Sequence, residues 1–247
     1  MLNIARKELK SMFASPMGWI ILALLTFSFG TYYLNGVNNY FEVMSGSIRP
    51  AERIGVTQFV GQTVYGLASF IMLFAVPLLS MRLISEERRS QTMPFLFSAP
   101  LSISEIVVGK FLGLVVFLSI LVVYIAAMLF TLNIWADIDF GYIFANSLGL
   151  LLLVSSFAAL GLYFSSLTAQ PIIAGILSFI ALFVLMILDR FFAGDPTSTM
   201  LKFSLMRHFQ SFAGGLMDTA DLAYFGLFIL TFITLTIRRL DADRLRG

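Results

Sequence analysis

"VVGKFLGLVVFLSILVVYIAAMLFTL", residues 107–132, holds a single charged side chain, Lys110, close to its start. An α-helix crosses the roughly 30 Å of bilayer hydrocarbon with about 20 mostly apolar residues. The stretch therefore reads as a membrane-spanning helix. Working outward from it, the same signature recurs over 17–40, 61–81, 142–165, 172–188 and 222–237, which makes six spans. The first is too long for a cleaved signal peptide and lacks a small-residue cleavage site after it. Residues 165–171, "SSLTAQP", turn the fourth span into the fifth, with Pro171 suited to the first turn of the new helix.

Composition agrees. The 247 residues are 59% hydrophobic and only 12% charged, whereas soluble domains carry about 25% charge. A water-soluble core could not hide that much apolar surface. This excludes a soluble enzyme and a disordered scaffold. The expected fold is an all-α integral membrane protein forming one domain over 1–247, because six spans leave no room for a separate soluble domain. The absence of cysteine excludes disulfides, thiolate metal sites and cysteine nucleophiles.

Charge placement sets the orientation. An even number of spans brings both termini to one side. That side holds Arg6, Lys7, Lys10, Arg82, Arg88, Arg89, Lys110, Arg238, Arg239, Arg244 and Arg246. The opposite loops hold Arg49, Arg53, Arg190, Lys202 and Arg207, with Asp137, Asp139, Asp195, Asp218 and Asp221. Both termini are expected in the cytoplasm of a multi-pass inner-membrane protein. The basic balance is then a topology signal, and no nucleic-acid partner is expected.

The spans lack chemistry. Intramembrane ionisable groups mark ion paths, proton relays and substrate sites, yet Lys110, Asp189 and Arg190 all sit at span ends. There is no phosphate-binding loop, no zinc-ligand pair, no nucleophile elbow and therefore no candidate catalytic or metal residue. The sole histidine, His208, falls in an outer segment. Small residues do recur at four-residue spacing: Gly109 and Gly113, then Gly141, Ala145 and Gly149, followed by Ser155 and Ala159. Such stripes let helix backbones approach closely, within one bundle or between subunits. Gln62, Tyr65 and Ser69 put polar atoms in the second span, where they could line a pathway or bond a neighbouring helix. Pro77 in the same span is expected to kink it.

Two segments on the termini side carry pattern. Residues 1–15 set Ile4, Leu9, Met12 and Phe13 against Arg6, Lys7 and Lys10, which fits an interfacial amphipathic helix. Residues 82–104 carry the dense block Glu86, Glu87, Arg88 and Arg89, the apolar run at 95–97, and Pro100. Ser102 or Ser104 can then cap the third span, with Glu105 in its first turn. That is more than a connector needs and suggests a helix presented to a partner.

At this loop, "SEERRSQTMPFLFSAPLSISEIVVGKF", the chain resembles the permease subunits of type-two ABC exporters. Met93 and Pro94 depart from the family's usual run at that point. Residues 205–225, "LMRHFQSFAGGLMDTADLAYF", are similar to the gliding-motility and nitrous-oxide-reductase-maturation branch. The resemblance implies a non-catalytic subunit that pairs with a second permease copy or paralogue. Each would receive a cytoplasmic ATP-binding cassette subunit, two in all, which hold the ATP and magnesium; this chain binds no cofactor. It implies that Ser85, Glu86, Glu87, Arg88, Arg89 and Thr92 form an ATPase-coupling helix. It also implies that 189–221 forms short re-entrant outer helices, with Phe209, Phe212, Gly214, Gly215 and Asp218 as an outer gate. The work done would be export of a substrate or mechanical drive of an extracytoplasmic auxiliary protein.

Overall fold

The computed structural model describes residues 1–45, 55–93, 102–191 and 202–246. Among them the regular structure is helical, with no strand. The helices are α1 Leu2–Ala14, α2 Pro16–Met44, α3 Val56–Ser80, α4 Arg82–Arg89 and α5 Ile103–Phe130. After a 3-10 turn at Thr131–Ile134 come α6 Phe140–Leu167, α7 Pro171–Phe191, α8 Leu205–Ala213 and α9 Thr219–Arg246. Six of these helices are long and apolar enough to cross a membrane. The apolar run at 95–97, Pro100, Arg49, Arg53 and Asp195 lie outside the described residues.

α6 is the hub. Leu150, Leu153, Val154, Phe157, Ala158, Ala159 and Leu160 are buried along it, and it packs on α3, α5, α7, α8 and α9. Its small side chains make this possible. Gly61 of α3 lies against Tyr142, where an added Cβ would come within 2.6 Å of the ring, and Gly161 backs directly onto Ser80. The stripe of α6 serves packing within the chain in the same way, with Ala145, Gly149, Ser155 and Ala159 buried and Gly149 against Phe212. α2, α7 and α9 instead leave apolar rows exposed, among them Leu24, Phe27, Leu34, Ile172, Ile176, Ile180, Leu227 and Leu230. Those rows suit acyl chains or another protein.

Several span ends run past their hydropathy limits. α9 continues to Arg246 rather than stopping near 237, because polar turns stay helical once Asp243 finds Arg88. α3 runs through Pro77 to Ser80 and gives way at Met81, whose N–H still donates to the Pro77 carbonyl at 2.9 Å. α1 turns into α2 at Ser15, which is extended, and Pro16 opens the new helix. Gly18 is needed at that elbow, since a Cβ there would run into the Met12 carbonyl.

The start of α5 chooses between the two serine caps. The Ser102 hydroxyl accepts the Glu105 N–H at 3.2 Å, while the Glu105 carboxylate accepts the Ser102 N–H at 3.2 Å. This is a reciprocal capping box, which satisfies two amides that no turn above can reach. Ser102→Ala is expected to cost about 1 kcal/mol of stability. Thermal unfolding in detergent should show it, with Ser104→Ala close to neutral.

Contacts sort the ends of the bundle. α1, α4, the first turns of α5 and the last turns of α9 meet at one end, through Glu8, Glu87, Lys110, Arg88 and Asp243. The 3-10 turn, the start of α6, α8 and the start of α9 form the other.

Candidate functional site

α4 is placed by one hydroxyl from α6. Ser165 Oγ accepts the N–H groups of Ile84 and Ser85, each at 3.1 Å, and donates to the Met81 carbonyl at 2.8 Å. A side chain inserted into the backbone ladder takes up amides where the helical turns are interrupted, here between α3 and α4. Leu83, Ile84 and Ser85 are buried as a result, and the Ser85 hydroxyl turns back onto the Met81 carbonyl. Arg82, Glu86 and Arg89 face outward. At the far end, Ser90 donates N–H and hydroxyl to the Glu86 carbonyl at 2.9 and 2.8 Å. Gln91 then takes a left-handed φ of 56°, a conformation that often ends a helix. Exposed Thr92 folds back, its N–H 3.0 Å from the Glu87 carbonyl.

The charged block divides. Glu87 and Arg88 are half-buried and engaged by their own chain. Lys110, 2% exposed, donates from Nζ to Glu8 Oε1 of α1 and to Glu87 Oε1 of α4, both at 2.8 Å. Arg88 pairs with Asp243 of α9, which also lies 3.6 Å from Arg239. Glu87 Oε2 and the Nε atoms of Arg88 and Arg239 are buried without a hydrogen-bond partner. Of the six residues expected to meet a partner, the fold turns Ser85, Glu87 and Arg88 inward and leaves Glu86, Arg89 and Thr92 presented.

Sequence reasoning placed Lys110 at a span end and missed its partners. One signal was available. Glu8 follows Ile4 by one helical turn, so α1 carries an acid on its packed face. That face meets the first glycine stripe: added Cβ atoms at Gly109 and Gly113 would lie 2.8 Å from Ile4 Cβ and 2.9 Å from Glu8 Cβ.

At the opposite end, Phe209 and Phe212 of α8 are buried in the core. Phe212 sits directly on Gly149 of α6 and near the Phe225 ring. Gly215 adopts φ +79°, against Tyr142, and with Gly214 it lines a polar cleft of about 240 Å³. Thr57, Gln58, Asp137 and Asp139 complete that cleft. Asp218 is exposed and accepts the Ala220 N–H at 2.9 Å, at the start of α9. His208 ties α8 to α9: its Nδ1 is 2.5 Å from Asp221 Oδ1, its Nε2 is 3.1 Å from the Lys202 carbonyl, and its ring stacks on Tyr224 at 3.8 Å. Neither Lys202 nor His208 was singled out as a contact in the sequence reading.

Of Gln62, Tyr65 and Ser69 in the second span, two are packed. Tyr65 hydroxyl lies 2.6 Å from Ser147 Oγ and donates to the Ile143 carbonyl at 3.3 Å. Ser69 is buried and donates to the Gly66 carbonyl at 2.8 Å. Gln62 faces outward with Gln58 and Gly66, in one row with Phe70, Phe74 and Leu78. That row borders an apolar groove between α3 and α7, about 290 Å³, whose walls include Met81, Gly175 and Phe179.

A family model described as ABC-2 family transporter protein matches residues 2–213, from α1 to the end of α8. No curated protein matches the chain.

Proposed function

The chain belongs to the ABC-2 transporter family of membrane permeases, and from that premise we propose that a separate ATP-binding cassette subunit drives it through α4. The observation that carries this reading is the division of α4. Glu87 and Arg88 fasten it to α5 and α9, while Glu86, Arg89 and Thr92 remain outward on the same short helix. A helix tied into the bundle and charged on its free face can take up a push from outside. The sequence places no ionisable side chain near the middle of a span to serve instead.

In this reading both termini and α4 lie in the cytoplasm of the inner membrane, in keeping with the basic side chains gathered at that end. A second permease copy or paralogue covers part of the exposed apolar rows, and two ATPase subunits complete the assembly. ATP and magnesium stay on those subunits. α8, seated on Gly149, closes the outer end together with Gly214 and Gly215, as the resemblance to the gliding-motility and nitrous-oxide-reductase-maturation branch suggests. The exposed row of α3 passes from Gln58 and Gln62 to Phe70 and Phe74, so it suits an amphipathic or lipid-like cargo. Mechanical drive of an extracytoplasmic partner uses the same coupling and is favoured if no such cargo is found.

The test is charge reversal on the free face. Glu86→Lys with Arg89→Glu, in the chain co-purified with its cassette ATPase, should weaken association about tenfold or more at low salt. Thermal stability of the isolated chain should change little, because neither side chain has a partner among the described residues. Unaltered association together with unaltered stimulation of ATP hydrolysis would remove α4 from the role.

A further inference from the structure

We propose that Lys110 is the positioning residue that makes α1 and α4 move as one body, so that α1 is a working part of the drive and not only an anchor. This rests on α4 being the element that the ATPase moves. α1 packs on α5 and α2, while α4 packs on α6, α7 and α3, and the two do not pack broadly on each other. Their link is the Lys110 ammonium, which holds Glu8 on one side and Glu87 on the other at equal distances of 2.8 Å.

Three features make that link stiff. Lys110 is almost fully buried, where attraction between opposite charges is much less screened than at an open surface. The glycines at 109 and 113 bring the α1 backbone close enough for the short Glu8 side chain to reach it. A single ammonium serves two carboxylates, and Glu87 Oε2 has no partner to fall back on. If α4 slid away alone, the half-buried Glu87 would lose its cation and Lys110 would lose one of its two carboxylates, which is unfavourable. Displacement of α4 together with α5 and α1 keeps both bonds. Arg88 and Asp243 add the last turns of α9 to the same body.

The chain has no cysteine, so paired labels can be placed cleanly. In the permease–ATPase complex, with labelled chain diluted into unlabelled, spin-label distances would be measured from Lys7→Cys on α1 to Asn133→Cys at the far end. A second pair would run from Ser90→Cys to Asn133→Cys. In the otherwise unchanged chain, ATP should shift both distances. In Lys110→Met the Ser90 shift should persist while the Lys7 shift falls at least threefold, and Lys110→Arg should restore it. Should Lys110→Met fold poorly, Glu8→Gln/Lys110→Met/Glu87→Gln decides, because it removes the tie without leaving two carboxylates facing each other. A Lys7 shift that survives in the folded neutral variant overturns the proposal. A Ser90 label that stays still in the unchanged chain sinks the coupling reading itself, and the proposal with it.

Discussion

Leucine in place of Gly149 will detach α8 from the bundle. Phe212 presses directly on the Gly149 backbone, and a bare Cβ there would already lie 2.7 Å from Phe212 Cγ. Phe212 Cβ lies nearer still, and no rotamer change can carry that atom away. α6 cannot retreat either, since its other faces are packed on α3, α5 and α9. Overpacking usually costs about 1–3 kcal/mol, and the upper end is expected here. Phe212→Ala alone leaves a cavity at a fully buried site and should cost about 3–5 kcal/mol. The double variant should recover part of the sum, because the leucine side chain enters the space the ring leaves. Thermal unfolding reads the energies. Hydrogen exchange over 205–213 reads the place, and protection lost there but kept over 150–160 is the expected pattern. If Gly149→Leu leaves exchange in α8 unchanged, Phe212 does not hold the helix down.

The six spans were legible because the membrane imposes a crude requirement, length and apolarity, that needs no knowledge of neighbours. A serine cap ahead of Glu105 and the turn at Pro171 were legible for a similar reason, since each is settled within a few residues, though only the fold chose Ser102 over Ser104. The phase of α4 was not. "EERR" announces a charged helix, but an eight-residue helix can present any face, and Ser165 and Lys110 select which one from distant parts of the chain. That is why Glu86 and Arg89 parted from Glu87 and Arg88. The glycine stripes announced close packing without saying what would arrive. Gly109 and Gly113 receive an interfacial helix, and Gly149 receives an aromatic ring from the outer segment. Phe209 and Phe212 read as gate residues from their motif, and the fold uses them to wedge α8 into the core. Tyr65 and Ser69 went the same way, their polar atoms consumed by Ser147 and by the helix's own carbonyl.

Ser165 carries the second large effect. Its hydroxyl is fully buried, accepts two amide hydrogens from α4 and donates to the carbonyl of Met81, the residue between α3 and α4. Ser165→Ala strands the Ile84 N–H away from water, while the Ser85 N–H keeps the Met81 carbonyl, the first acceptor of α4. A buried unsatisfied donor costs about 1–3 kcal/mol, so a loss toward the upper end of that range is expected unless α4 rotates to bond elsewhere. Rotation is the informative outcome. An α4 that re-forms a straight ladder with α3 would swing Glu87 off Lys110 and Arg88 off Asp243, so relief at the backbone would break both ion pairs. Either branch harms the chain, one through stability and the other through the direction in which Glu86 and Arg89 point. Ser165→Thr keeps the hydroxyl and should retain most of both, limited by space for one methyl group. The discriminating measurement pairs thermal unfolding with binding of the cassette ATPase. Ser165→Ala should lose at least one of the two, and if stability and association both match the unsubstituted chain, the Ser165 hydroxyl does not set the course of α4.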